Sequence, residues 1–194
     1  MYQEIHSLIR ATGQFVDDIS ARYFQGFHHH LPIISRTRFY NNLITLGATP
    51  TADFSVLLLI ICLVTHTPAL GHRPVHGAVQ SVERQTLYLN ARSLLAQVQV
   101  SCPPSLPLVQ AGLLLAVYEY THGRPDHAFV TIAASARTAY SAGIHIRDHR
   151  QSRIVANFNT QDDIDRMLQN EEAANTWWGI VIYERYVTLD NFEM

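Results

Sequence analysis

Apolar residues recur along this chain every three or four positions, in segments punctuated by proline and glycine. From residue 3 to 27, Ile5, Leu8, Ile9, Phe15, Val16, Ile19, Tyr23 and Phe24 fall at helical spacing, and Pro32 ends the pattern beyond His28-His29-His30. A short helix is predicted from Ser35 to Leu46, with Gly47 and Pro50 as its stop signals. The run from Ala52 to His66 is apolar almost all round, and its length and leucine content predict a buried helix. Pro68, Gly71, Pro74 and Gly77 mark a loop. A long helix then follows from near Val79 to Val100, closed by Pro103-Pro104.

Pro107 opens a helix predicted over Leu108 to Tyr120, which stops near Gly123. Pro125 starts another that runs through Ala128, Ala133, Ala134, Ala136, Ala139 and Ala142 to Gly143; so many small residues permit close approach and predict a central position. His145 to Asn159 is polar and reads as a surface loop. Thr160 is placed to cap a last helix, with Asp162 and Asp163 favourable in its first turn. On that helix Ile164, Leu168, Trp178, Ile182 and Leu189 recur on one face, read as the packed face. A buried indole at Trp178 implies a cost of about 3–5 kcal/mol for Trp178→Ala. Its neighbour Trp177 points about 100° away and packs against something else. No segment shows sustained alternation. The expected fold is therefore all-α, an array of about seven helices built from antiparallel hairpins, in a single domain over residues 1–194. No repeat of fixed period is present.

Composition narrows the chemistry. Hydrophobic residues make up 47% and charged residues 15%, which excludes a disordered chain and leaves few charges to cover its surface. The formal charge of −2 offers no general attraction to nucleic acid phosphates. All 14 basic residues are arginine, so a Walker phosphate loop, a pyridoxal phosphate Schiff base and an ordinary kinase site are excluded. Cys62 and Cys102 match no disulfide framework and no zinc signature, and point to a reducing compartment. The N-terminus lacks the pattern of a signal peptide, and the longest greasy run, Phe54 to Val64, is too short to span a bilayer.

Several side-chain groups invite a functional reading. His28-His29-His30 diverge from one another and suit a helix end better than a metal. His66, His72 and His76 surround one proline-rich loop and would be the ligands of a metal-dependent enzyme, but no acidic residue or cysteine joins them there. His145, Arg147, His149, Arg150 and Arg153 form a basic patch, diluted by Asp148 and without interleaved aromatics for base stacking. Glu119 lies between Tyr118 and Tyr120 in an apolar helix, where Arg124 or Arg137 is the expected partner in an ion pair fixing helix register. No nucleophile elbow is present, and nothing else points to catalysis.

The order of these segments resembles the fungal-specific transcription factor domain, the regulatory region of fungal zinc-cluster regulators. The likeness rests on Tyr23-Phe24 followed by Leu31-Pro32-Ile33-Ile34 and Phe39-Tyr40, then on the greasy helix Phe54 to Cys62. It continues through Ala91 to Val98, Pro104-Ser105-Leu106, Val109-Gln110-Ala111, Leu113-Leu114-Leu115 and Tyr118-Glu119-Tyr120. The alanine-rich stretch leaving at Ala142-Gly143-Ile144 and the pair Trp177-Trp178 complete it. Two features depart. Asn175 and Thr176 stand where basic residues are usual before the tryptophans, and the chain is similar to only the N-terminal half of the domain, so that it reads as incomplete.

The resemblance implies a non-catalytic regulatory domain controlling RNA polymerase II transcription in the nucleus, in contact with other regulator chains or co-regulators and open to a small-molecule effector. Its signature residues here are Glu119, Tyr120, Trp177, Trp178, Glu184 and Arg185, with Glu184-Arg185 at the place of the family's acidic–arginine pair. Zinc belongs to the six-cysteine cluster of full-length relatives; two cysteines cannot form it, so the expectation is no cofactor, no direct DNA binding by this segment and no membrane. The alternative is a stand-alone interaction module, a decoy for full-length relatives.

Overall fold

The computed structural model describes residues 2–44, 50–66, 84–146 and 161–192. Among these there are eight α-helices and no strand: α1 (Tyr2–Ala11), α2 (Val16–Gln25), α3 (Arg36–Ile44), α4 (Ala52–Val64), α5 (Arg84–Ser101), α6 (Leu106–Thr121), α7 (Pro125–Ser141) and α8 (Gln161–Phe192). Short 3-10 turns at Phe27–His29 and Ile144–Ile146 follow α2 and α7. The all-α class is as expected.

The greasy helix α4 and the helix α6 form the interior. Every residue of α4 from Phe54 to Leu63 is buried, and so is nearly all of α6. A helix apolar around its whole circumference must be covered on all sides. α6 is covered by α4, α5, α7 and α8. Ser105 caps it, its hydroxyl accepting the Leu108 amide at 3.4 Å and donating to Asp53 Oδ2 at 2.6 Å, which ties the starts of α6 and α4 together.

Three expectations are corrected. The periodic segment from 3 to 27 is two helices, because α1 closes at Thr12-Gly13. There the Thr12 hydroxyl bonds the Ile9 carbonyl at 2.6 Å and Gly13 takes a φ of +73°. The alanine-rich helix is not the centre. α7 lies on one side of α6 and turns Ala128, Ser135, Ala136 and Ala139 inward, while Phe129, Val130, Ala134 and Tyr140 are exposed. Contact between the two helices is close: a Cβ on Gly112 would sit 2.3 Å from Ser135 Oγ. The third concerns α8. Ile164, Trp178, Ile182 and Leu189, read as its packed face, are exposed. Its inner face is instead Glu172, Ala173, Thr176, Gly179, Ile180 and Val187. The loop with His72 and His76, the start of the long helix near Val79, the polar loop beyond Ile146 and the cap at Thr160 lie outside the described residues.

Candidate functional site

Residues 31–35 leave the helical path after the turn that ends at His30 and pass between α6 and α8 as an irregular segment, with the Ile33 amide donating to the Leu31 carbonyl at 2.9 Å in a tight turn at Pro32 and a bend at Ile34. Pro32 enforces that path by fixing its own φ and disfavouring helix at Leu31. Leu31, Ile33 and Ile34 are buried. A buried segment outside helix and sheet must find other partners for its remaining backbone polar groups. Both flanking helices supply them. Gln110 Nε2 on α6 donates to the Ile33 carbonyl at 2.6 Å, and Asn175 Nδ2 on α8 donates to the Pro32 carbonyl at 3.0 Å. Glu172 Oε1 on α8 accepts the Ser35 amide at 2.6 Å. The other carboxylate oxygen of Glu172 pairs with Arg38 Nη1 on α3.

Gly179 completes the joint. A Cβ there would lie 2.8 Å from Leu113 Cδ2 and 3.1 Å from Leu31 Cδ1, so any side chain at this position would have to displace those leucine methyls. Burial pushes the Glu172 carboxyl above its ordinary range, opposed by the Ser35 amide and the Arg38 guanidinium.

Beside this joint is a cavity of about 290 Å³. Phe39, Phe54, Leu57 and Ile144 give it apolar walls; Arg38, Glu172, Gln110 and Gln169 supply polar groups. The segment's role was missed in the sequence because the partners of residues 31–35 lie 77 to 143 positions downstream.

The expected signature residues separate into two sets. Glu119, fully buried, accepts the Tyr88 hydroxyl at 2.8 Å and Arg92 Nη1 at 2.9 Å. Its partner is thus Arg92 on α5, not Arg124 or Arg137. Arg124 lies over the Tyr88 ring at 4.4 Å and donates to Gln85, and Arg137 donates to the Ala133 carbonyl of its own helix. His127 Nδ1 approaches both the Tyr88 hydroxyl and Arg92 Nη1, at 3.0 and 2.7 Å, so the cluster joins α5, α6 and α7. Tyr120 donates to Asp190 Oδ2 at 2.5 Å, which pins the ends of α6 and α8 and raises the phenol's pKa.

Trp177 meets Tyr140 edge-on with ring centres 5.2 Å apart, and lies 5.8 Å from His145. Trp178 is 57% exposed. The anchoring role expected of it falls to Trp177. Glu184 and Arg185 are also exposed and do not pair with each other among the described residues; adjacent helical side chains diverge by about 100°.

Of the histidines, His28 packs against Phe24 at 5.2 Å, and burial followed by the charges of His29 and Arg36 lowers its pKa. Burial also lowers that of His66. No group of three or more His, Cys, Asp or Glu residues is placed to hold a metal among the described residues. Cys62 and Cys102 are free thiols. Among the described residues, no helix is long and apolar enough to cross a membrane.

Comparison with known proteins gives the class of this all-α chain. The chain belongs to the family described as the fungal specific transcription factor domain, which matches residues 21–190. It is similar to "Transcription factor BOA15" of Botryotinia fuckeliana (strain B05.10), with 32% identity over 138 residues, 70% of this chain and 71% of that protein. No solved structure gives a significant match. Membership assigns the chain to transcription regulation.

Proposed function

We propose that this chain is a non-catalytic regulatory domain of a nuclear fungal transcription regulator. It controls RNA polymerase II transcription through other regulator chains or co-regulators rather than through its own contacts with DNA. In this reading its state is set by a small effector with an apolar body and one polar end. The observation that carries the reading is the cavity beside the Arg38–Glu172 pair. A molecule bound there touches both the wall formed by α3 and α4 and the face of α8 that holds the buried segment, so its binding energy is coupled to how α8 is seated. The charged groups at that site are committed to one another, which suits recognition better than proton transfer.

The test is to fuse the chain to an unrelated DNA-binding domain in a fungal host and measure transcription from a reporter bearing that domain's sites. The fusion is expected to change output several-fold relative to the DNA-binding domain alone, and a bulky side chain placed in the cavity by Ala142→Phe should alter that output. A fusion indistinguishable from the DNA-binding domain alone overturns the proposal.

A second reading is favoured by the exposed apolar face of α8: an interaction module that captures full-length relatives and lowers their activity. Here the unfused chain, co-expressed with a relative, reduces output at the relative's own promoter. The regulatory reading requires no such effect.

A further inference from the structure

The outward face of α8 carries a pattern that its packing does not use. Ile164, Met167, Trp178, Ile182 and Leu189 are all exposed, although the helix is well covered on its other side. At 100° per residue these five fall within an arc of about 60°, and Glu171 and Arg185, both exposed, lie in the same arc. They make a narrow stripe along a helix of about 48 Å. The exposed portions of the five apolar side chains come to roughly 550 Å² per chain, at the upper end of what a monomer leaves in one patch. Two such stripes in contact, with their polar flanks, reach the size of a specific interface.

The stripe is also self-complementary. Glu171 and Arg185 stand seven residues to either side of Trp178, each about 10.5 Å from it along the axis. If a second α8 is laid antiparallel, with the two-fold axis through Trp178, each Glu171 falls opposite Arg185 of the second copy. The same operation sets Met167 opposite Leu189 and stacks the two indoles at the centre. A parallel arrangement would place like charge on like charge, which is unfavourable. An isologous two-fold contact requires this kind of match between a surface and its own inverse.

We propose that the exposed face of α8 is a self-association surface on which a second copy of this chain docks antiparallel, with Trp178 at the two-fold axis and two Glu171–Arg185 pairs flanking it. The contact is independent of the effector cavity and of the regulatory reading. A large aromatic at the centre of such a patch supplies most of its binding energy, and the flanking charges set its direction.

The test is sedimentation velocity on the full chain over a concentration series, with circular dichroism to show that each variant is folded. The wild type is expected to form a dimer. Trp178→Glu, Glu171→Arg and Arg185→Glu should each weaken it at least about tenfold, since each removes the anchor or sets like charges opposite one another. The double variant Glu171→Arg/Arg185→Glu should restore the dimer, and the two single-charge variants mixed in equal amounts should form a heterodimer. A wild type that stays monomeric to its solubility limit leaves this face to another occupant and overturns the proposal. So does an oligomer insensitive to the charge reversals, which would be non-specific apolar association.

Discussion

The backbone amide of Ser35 donates to Glu172 Oε1 across 2.6 Å, joining residues 137 positions apart. Through this bond and the adjoining Arg38 pair, α8 holds both the segment 31–35 and the start of α3. Burial outweighs these partners in setting the Glu172 carboxyl above its ordinary range. Glu172→Gln, which keeps the shape and one acceptor, should therefore cost less than about 1 kcal/mol at neutral pH, whereas Arg38→Ala, which leaves a buried carboxylate behind, should cost about 2–3 kcal/mol. The folded state holds the Glu172 proton more tightly than the unfolded chain, so the contribution to stability is full below the ordinary carboxyl pKa and is lost as pH rises through the raised folded value. The Arg38→Ala deficit should accordingly widen from pH 4 to pH 7. Urea unfolding of the variants at both values measures it; a deficit constant with pH refutes the account.

The contact at Gly179 is one of space. Gly179→Val must place three carbons where one would already lie 2.8 Å from Leu113 Cδ2. A loss of about 3 kcal/mol is expected, read as a lower denaturation midpoint at unchanged slope.

The two tryptophans should behave differently. Trp177→Ala, which removes the packing on Tyr140, is expected to cost about 2–3 kcal/mol, and Trp178→Ala under about 1 kcal/mol when the chain is dilute enough to be monomeric. Iodide quenching of tryptophan fluorescence should be weaker in Trp178→Ala than in Trp177→Ala.

Glu119 depends on α5. Arg92→Ala is expected to cost about 2–3 kcal/mol because it strips the charge partner from a fully buried carboxylate, while Arg137→Ala should stay within about 0.5 kcal/mol. Thermal melts of the two variants, side by side, decide between Arg92 and Arg137 as the partner.

Burial pushes the Cys62 thiol up to about 11, so little thiolate is available at pH 8. Native-state alkylation followed by mass mapping should label the half-buried Cys102 first, and Cys62 only at the rate of unfolding. Fast labelling of Cys62 in the folded chain would contradict its placement against α1.

Much was legible locally. Pro107 and Pro125 open α6 and α7 where prolines are tolerated, and the continuous apolar run of α4 announced a helix with no outward face; that α6 shares this burial appears only in the structure. Family membership was legible too, since it depends on the order of short motifs. The break at Thr12-Gly13 was not. A threonine and a glycine interrupt periodicity no more than many helical residues do, and only the left-handed φ of Gly13 decides.

The sequence by itself determined the class of the fold, the proline-marked starts of α6 and α7 and the one element that must be buried all round, α4, because each follows from spacing and backbone chemistry within a dozen residues. Only the tertiary structure decided which side of α8 faces in. Its apolar stripe fixes a direction on the helix, but the inner side is made of Ala173, Thr176 and Gly179, since close approach to α6 and to residues 31–35 selects small side chains over greasy ones. The partner of Glu119 was likewise a tertiary matter. Arg92 lies 27 residues before it, farther along the chain than Arg124 or Arg137, and reaches the carboxylate only because α5 packs on α6.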